Sequence, residues 1–304
     1  MKNIENKCML ITYADSMGKN LKALAHILDK HFSGVFGGVH VLPFFPSSGD
    51  RGFAVINYDT VDPAFGSWED IDHLAEKYYL MADFMLNHVS IRSQEFQDYQ
   101  KKGDASPYRD MFIHWNEFWP GGEPTEKDLQ ALYMRKAQGP YIKLPSTIKT
   151  DGQKVRRYQL GCTYYSALDC DDDAYLLARA VQFFTPGIPQ VYYVGLLAGE
   201  NDMEALKNGG EGRSINRHNY TEEEIDRAVQ KPMLQKLYRL MRFRNQHPAF
   251  DGNILVDQTS AGGRLHIQWK KNNAIAVLDA DFGDRSFQIT YTDVDSGSTK
   301  VLAL

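Results

Sequence analysis

The chain has 304 residues, of which 43% are hydrophobic and 12% aromatic, enough for one large core or two moderate ones; disordered and fibrous classes are excluded. Lys and Arg number 34 against 39 Asp and Glu, a formal charge of −5, and no basic tract marks a nucleic-acid footprint. The first residues carry no apolar leader with a small-residue cleavage site, and no later run is long enough to span a bilayer, so the expectation is a cytoplasmic protein without membrane partners. Cys8, Cys162 and Cys170 form an odd set without zinc spacing, which argues against a disulfide framework and a structural metal.

From residue 8 to about 90, short β-rich runs alternate with amphipathic helices, as in parallel β/α units. Cys8-Met-Leu-Ile-Thr-Tyr-Ala reads as a buried strand ending at Asp15-Ser16. Leu21, Leu24, Ile27 and Leu28 then give a helix its apolar stripe before Gly37-Gly38 breaks the chain. Val39-His-Val-Leu-Pro-Phe-Phe is a second strand, Ser67 with Asp70 a capped helix start, and Tyr79-Leu-Met-Ala-Asp-Phe-Met-Leu a third apolar run.

From about Ser90 to Leu144 the sequence becomes polar and studded with aromatics, which reads as an inserted subdomain with the cluster from Phe112 to Trp119 as its core. Pro145 to Arg157 is short, basic and nearly devoid of apolar residues, a linker. Asp171-Asp-Asp puts acid at the start of a helix reaching Phe184, and Gln190-Val-Tyr-Tyr-Val is one more buried strand. Thr221-Glu-Glu-Glu is a capping box, and Pro232 suits the first turn of the next helix. Beyond Asp251 the pattern is strands and turns, with Arg264-Leu-His-Ile-Gln-Trp-Lys alternating cleanly. The divisions expected are therefore 1–90 and 158–250 as two parts of a β/α barrel, 91–145 as the insertion, 146–157 as a linker and 251–304 as a small antiparallel β domain.

Four groups of residues suit chemistry. Asp83, Asn87 and His88 fall at the carboxyl end of the third run, where a β/α barrel keeps its working groups; the plainer reading is that Asp83 and His88 satisfy one another. Asp50, Arg51 and Phe53 offer a carboxylate, a guanidinium and an aromatic plate suited to a sugar, or simply a surface ion pair. Gly212-Arg-Ser-Ile-Asn-Arg217-His is a dense donor cluster, and Tyr133, Arg135 and Lys136 a smaller one; solvated loops are the alternative for both. No glycine-rich phosphate or dinucleotide fingerprint occurs, so no nucleotide cofactor is expected.

Taken in order, Met9-Leu-Ile-Thr-Tyr-Ala-Asp-Ser, Gly37-Gly-Val-His-Val-Leu-Pro-Phe-Phe-Pro-Ser-Ser-Gly-Asp-Arg-Gly-Phe, Asp83-Phe-Met-Leu-Asn-His, Pro186-Gly-Ile-Pro-Gln-Val-Tyr-Tyr-Val-Gly and Gly212-Arg-Ser-Ile-Asn-Arg-His resemble the sucrose phosphorylase family of α-amylase-type enzymes. The resemblance implies an α/β fold built on a (β/α)8 barrel. It also implies reversible transfer of an α-glucosyl group from sucrose to phosphate, giving glucose 1-phosphate and fructose without metal or other cofactor. Carried over by position, Asp50, Phe53, His88 and Arg217 line the glucosyl subsite, and Asp83 and Asn87 shape the strand end. Tyr133 and Arg135 belong to the acceptor and phosphate side, with Tyr158 and Gln159 on a loop that closes over it. Arg156-Arg157 replace the acidic and apolar residues usual in the family before that pair.

The family's nucleophile aspartate, in an Arg-Leu-Asp-Ala type motif after the fourth barrel strand, its general acid glutamate after the fifth and its His-Asp pair after the seventh have no counterpart in the sequence. No catalytic carboxylate is assigned. A full barrel takes about 250 residues by itself, leaving too few here for the insertion and the β domain. The expectation is an incomplete barrel keeping strands that resemble barrel strands 1, 2, 3 and 8, with exposed edges that favour self-association. Two outcomes stay open, a sucrose-phosphorylase-type enzyme and a catalytically silent remnant that binds sugar or phosphate weakly.

Overall fold

The computed structural model describes residues 3–129, 142–143, 160–208, 212–256 and 262–304. Four parallel strands, β1 (Met9–Thr12), β2 (Gly38–Val41), β3 (Tyr79–Ala82) and β4 (Gln190–Tyr192), form one sheet in the order β3-β2-β1-β4. The register aligns Leu10 with Val39 and Val191, and Val39 with Leu80; one residue on, Ile11 aligns with His40 and Tyr192, and His40 with Met81. Leu10, Val39 and Val191 are fully buried. Ile11, His40, Met81 and Tyr192, on the other face, are only partly covered. Side chains alternate across a strand, so this sheet has one face closed at β1, β2 and β4 but only partly covered at Leu80 of β3, and one half-open face, whereas a complete parallel barrel buries both.

Among the described residues the helices of seven residues or more are α1 (Leu21–His31), α2 (Trp68–Lys77), α3 (Gln94–Lys102), α4 (Asp172–Phe184), α5 (Glu222–Ala228) and α6 (Pro232–Gln246); a shorter helix, Met203–Lys207, is capped by Asp202. Their starts are written locally. The Asn20 side chain accepts the Ala23 N–H, Asp171 accepts that of Ala174, and Ser67 with Asp70 and Thr221 with Glu224 form capping boxes. The expected stripe of α1 is buried, as are Leu234, Leu237, Tyr238, Leu240 and Met241 of α6.

The amino ends of the strands are tied to the end of α6. Arg244, 1% exposed, donates from Nε to the Phe183 carbonyl and through Nη1 to the Asn6 carbonyl; Nη2 donates to Asn6 Oδ1 and the Gly187 carbonyl. Its guanidinium lies 4.4 Å from the Phe250 ring centre. Asn245 accepts the Cys8 N–H and donates to the carbonyls of Gly34 and Val35. Burial pushes the Cys8 thiol up to about 12, so it stays an uncharged core group.

Besides a short parallel pair, Ile142–Lys143 with Leu160–Gly161, the strands β5 (Asn253–Val256), β6 (Arg264–Lys271), β7 (Ala274–Asp281), β8 (Ser286–Thr292) and β9 (Thr299–Val301) make an antiparallel meander in the order β9-β8-β7-β6-β5. Ile267 and Trp269 of β6 turn inward, and Trp269 Nε1 donates to the Phe184 carbonyl, fastening the meander to α4. Asn272 takes a positive φ in the tight turn between β6 and β7.

Two sequence expectations need correction. The third apolar run is a strand only over Tyr79–Ala82; from Asp83 on it is loop, with Phe84 and Leu86 exposed, because no described strand pairs beyond β2. The cluster from Phe112 to Trp119 is not a closed core. Phe112 stacks on Tyr99 and Trp119 packs edge-on against Trp115 and Phe118, but Trp115 and Phe118 stay more than half exposed.

Candidate functional site

The carboxyl ends of β1, β2, β3 and β4 lead into four loops, and three of these meet around Tyr13. The Arg51 guanidinium lies 4.1 Å from the Tyr13 ring centre and that of Arg217 5.6 Å from it. Arg51 Nη2 donates to Ser16 Oγ at 2.8 Å, Asn219 Oδ1 at 2.6 Å and Asp15 Oδ1 at 3.3 Å. One arginine thus bridges the loops after β1, β2 and β4. Burial raises the Tyr13 hydroxyl above its ordinary range, although the flanking Arg217 and Arg51 work the other way.

Asp50 and Arg51 both hold φ of 48° and Gly52 follows at 101°, three left-handed residues in succession. A Cβ on Gly52 would sit 2.5 Å from the Pro43 carbonyl oxygen, so glycine is required there. This strained turn projects the exposed Asp50 carboxylate to within 3.8 Å of Arg213 Nη1. His88 reaches the same loop, its Nε2 2.9 Å from the Phe53 carbonyl oxygen. Carboxylate, two guanidinium groups, imidazole and aromatic ring therefore sit on neighbouring loops, an arrangement that offers hydroxyl acceptors, hydroxyl donors and a flat apolar face to one polyol.

Of the residues expected from sequence, Asp50, Phe53, His88 and Arg217 lie on these neighbouring loops. The Asp83 carboxylate lies 3.0 Å from His40 Nε2 at the strand end, so its partner is His40 and not His88. Asn87 is exposed beside His88 on an open groove of about 500 Å³ whose apolar lining includes Tyr58, Phe84, Met111 and Ile113. Tyr133, Arg135, Tyr158 and Gln159 lie outside the described residues, as does the linker 146–157. Sequence reasoning missed Tyr13, Asn219 and the bridging role of Arg51; Tyr13 stands directly after β1, but Arg51 and Asn219 lie deep in the loops after β2 and β4 and carry no such local signal. Among the described residues, no group of three or more His, Cys, Asp or Glu side chains is placed to hold a metal ion.

Residues 34–136 match the model of the α-amylase catalytic domain. Sucrose 6(F)-phosphate phosphorylase of Thermoanaerobacterium thermosaccharolyticum is 32% identical over 486 residues, with 98% of this chain and 99% of the relative covered. Sucrose phosphorylase of Streptococcus mutans is also 32% identical, covering 95% and 98%. The crystal structure of a sucrose 6F-phosphate phosphorylase from Thermoanaerobacter thermosaccharolyticum superposes with a TM-score of 0.85 at 30% identity, over 100% of this chain and 99% of that one. An α-amylase from H. orenii, 14% identical with a TM-score of 0.62, shares the fold.

Proposed function

The chain belongs to the sucrose phosphorylase family, and on that premise we propose that it is the glucosyl-holding portion of such an enzyme, without the groups that make and break the glycosidic bond. The reaction of the complete catalyst would take sucrose and phosphate to glucose 1-phosphate and fructose. Here the Asp50 carboxylate accepts from glucosyl hydroxyls, Arg217 and His88 donate, and the Phe53 ring packs against the apolar face of the sugar. The observation that carries this reading is the meeting of the three loops on Tyr13 and Arg51 at the carboxyl ends of parallel strands.

Retaining glucosyl transfer needs one carboxylate to attack the anomeric carbon and a second carboxyl group about 5–5.5 Å away to protonate the leaving oxygen. The described carboxylates at this end are engaged with cations or imidazole: Asp15 with Arg51, Asp50 with Arg213 and Asp83 with His40. Such groups suit hydroxyl binding. The alignment with the phosphate-sugar relative runs over 486 residues whereas this chain has 304, which supports a gap of more than a third of the aligned length. That gap would hold the barrel strands between those resembling strands 3 and 8. A second reading concerns the acceptor: Arg156-Arg157 would favour an anionic, phosphorylated fructosyl group over a neutral one.

The test is release of glucose 1-phosphate from sucrose and inorganic phosphate by the purified chain, alongside saturation-transfer NMR with glucose 1-phosphate. No turnover is expected, with ligand contact that disappears in Asp50→Asn. Turnover at a rate proportional to the wild-type protein would overturn the assignment.

A further inference from the structure

Among the described residues the Arg217 guanidinium has no hydrogen-bond acceptor, only the Tyr13 ring 5.6 Å away, so the backbone on either side of Arg217 sets where that charge lies. On the preceding side the Ile215 carbonyl accepts the Asp202 N–H at 2.8 Å, and the Asn216 amide donates to the Cys162 carbonyl at 3.4 Å. On the following side the first hold is His218, whose Nδ1 lies 3.0 Å from Asp202 Oδ2 and whose Nε2 lies 3.3 Å from Glu224 Oε1. Asn219 and Tyr220 come next, tied to Ser16 in the loop after β1. Arg217 thus reaches toward Tyr13 while its neighbour His218 reaches two carboxylates.

Each of these carboxylates is fixed by its second oxygen. Asp202 Oδ1 accepts the Ala205 N–H at 2.8 Å and caps the helix Met203–Lys207, and Glu224 Oε2 accepts the Thr221 N–H at 2.8 Å in the capping box of α5. Neither can turn from the imidazole without opening a cap. Both carboxyls are held below their ordinary range, Asp202 foremost by the Ala205 N–H and Glu224 by the Thr221 N–H and His218 against the upward pull of burial, so both are anions at neutral pH. The other titratable group against the ring is Tyr220, edge-on at 4.7 Å between centres, and burial raises its hydroxyl, which stays uncharged. A carboxylate only accepts, so a ring nitrogen facing one must carry a proton, and only the imidazolium carries two. A neutral ring would turn one lone pair toward an anion, and the longer contact, to Glu224, is the one expected to open.

We propose that His218 is a positioning residue for the glucosyl subsite: as an imidazolium it closes both contacts and holds the segment that aims Arg217 across Tyr13, and as a neutral ring it releases Glu224 and Arg217 loses that aim. The inference rests on the reading of Arg217 as a sugar-binding donor. The competent form is the protonated one, so sugar affinity is fully present below the titration of His218 and falls as pH rises through it. Loss of an acceptor carboxylate such as Asp50 would weaken binding in the opposite direction, as pH falls.

The experiment is an NMR titration of the full chain from about pH 5.5 to about pH 8, with the His218 ring nitrogens reporting protonation and sucrose, which has no titrating group in this range, as the ligand. Expected are two ring N–H groups at the acid end, an Nδ1–H tautomer at the basic end, and a nuclear Overhauser contact between the Arg217 side chain and the Tyr13 ring that fades with the same midpoint. Sucrose affinity is expected to be about fivefold weaker at the basic end. His218→Asn, whose amide donates to Asp202 alone at every pH, is expected to bind like the wild type at the basic end, with the pH dependence gone. A pH dependence of undiminished size in His218→Asn would assign the effect to His88 and overturn the proposal, as would an Arg217 to Tyr13 contact indifferent to the protonation of His218. That contact is read on the wild type without ligand. Sucrose that binds at no pH would therefore count against the glucosyl reading alone, and the positioning of Arg217 would still stand or fall by the contact.

Discussion

The two ends of the parallel sheet are each organised around an arginine, and the two arginines are satisfied in opposite ways. At the amino end Arg244 is enclosed, and all four of its hydrogen bonds go to amide oxygens of segments entering or leaving the core. At the carboxyl end Arg51 is partly exposed, and its described acceptors are side chains on loops. Its Nε is buried with no partner. Backbone acceptors cannot move without unfolding, whereas side-chain acceptors can exchange for a ligand's oxygens. The first arrangement fixes architecture, and the second holds a site together.

The largest effect that tests this contrast is at Arg244. Arg244→Met keeps much of the stem that packs on Phe250 but strips the donors from Phe183, Asn6 and Gly187, leaving buried oxygens unpaired. The expected loss is on the order of 3 kcal/mol or more, read as a fall in the urea midpoint. Burial pulls the guanidinium below its usual range, yet deprotonation remains out of reach at any pH where the chain folds, so the loss is expected to be independent of pH from 6 to 9. A loss under about 1 kcal/mol would show that water replaces the guanidinium and that the amino end is not sealed.

A smaller effect on stability, with a larger one on binding, is expected at Arg51. Its partners Asp15, Ser16 and Asn219 are close enough to solvent to be rehydrated, and the substitution also removes an unpaired buried donor. Arg51→Met is therefore expected to change stability by less than about 1 kcal/mol. Its contact with Tyr13 and the tie between three loops would be lost, and affinity for glucose 1-phosphate is expected to drop about tenfold, near 1.4 kcal/mol. Titration by NMR against the folded variant checks it. Unchanged affinity would make Arg51 a surface brace and move the sugar elsewhere.

Much of the architecture was legible because it is locally encoded. Leu21, Leu24, Ile27 and Leu28 specify the buried stripe of α1, and Ser67 with Asp70 and Thr221 with Glu224 mark helix starts that the structure reproduces. The site was legible only as a set of strand ends. His88 stands just past an apolar run and Asp50 in the loop that follows one, but nothing near Asp83 announces His40, because that contact spans 43 residues and follows from strand register. Apolar composition in turn overstated β3 and the cluster from Phe112 to Trp119. An apolar run becomes a strand only where a neighbour accepts its hydrogen bonds, and a cluster becomes a core only where something covers it.

The smallest expected effect lies between the two ends, at the brace behind the β4 loop. Asp202 accepts the Ala205 N–H at 2.8 Å and lies 3.0 Å from His218 Nδ1, while His218 Nε2 faces Glu224 at 3.3 Å. The Ala205 N–H, outweighing partial burial, holds the Asp202 carboxyl below its ordinary 3.8, with His218 adding to the effect. For Glu224 burial pulls upward, but the Thr221 N–H and His218 prevail and it too is lowered. A carboxyl group whose folded pKa is depressed contributes stability that is fully present above its unfolded value and fades as pH falls through the folded one. Asp202→Asn keeps a competent helix cap, so its cost at neutral pH is expected to be a few tenths of a kcal/mol, while the loss of stability below about pH 4 becomes shallower than in the wild type. Parallel acid unfolding curves for the two proteins would mean that Asp202 titrates alike in the folded and unfolded chain, and that the loop carrying Arg213 and Arg217 is braced by the capping box alone.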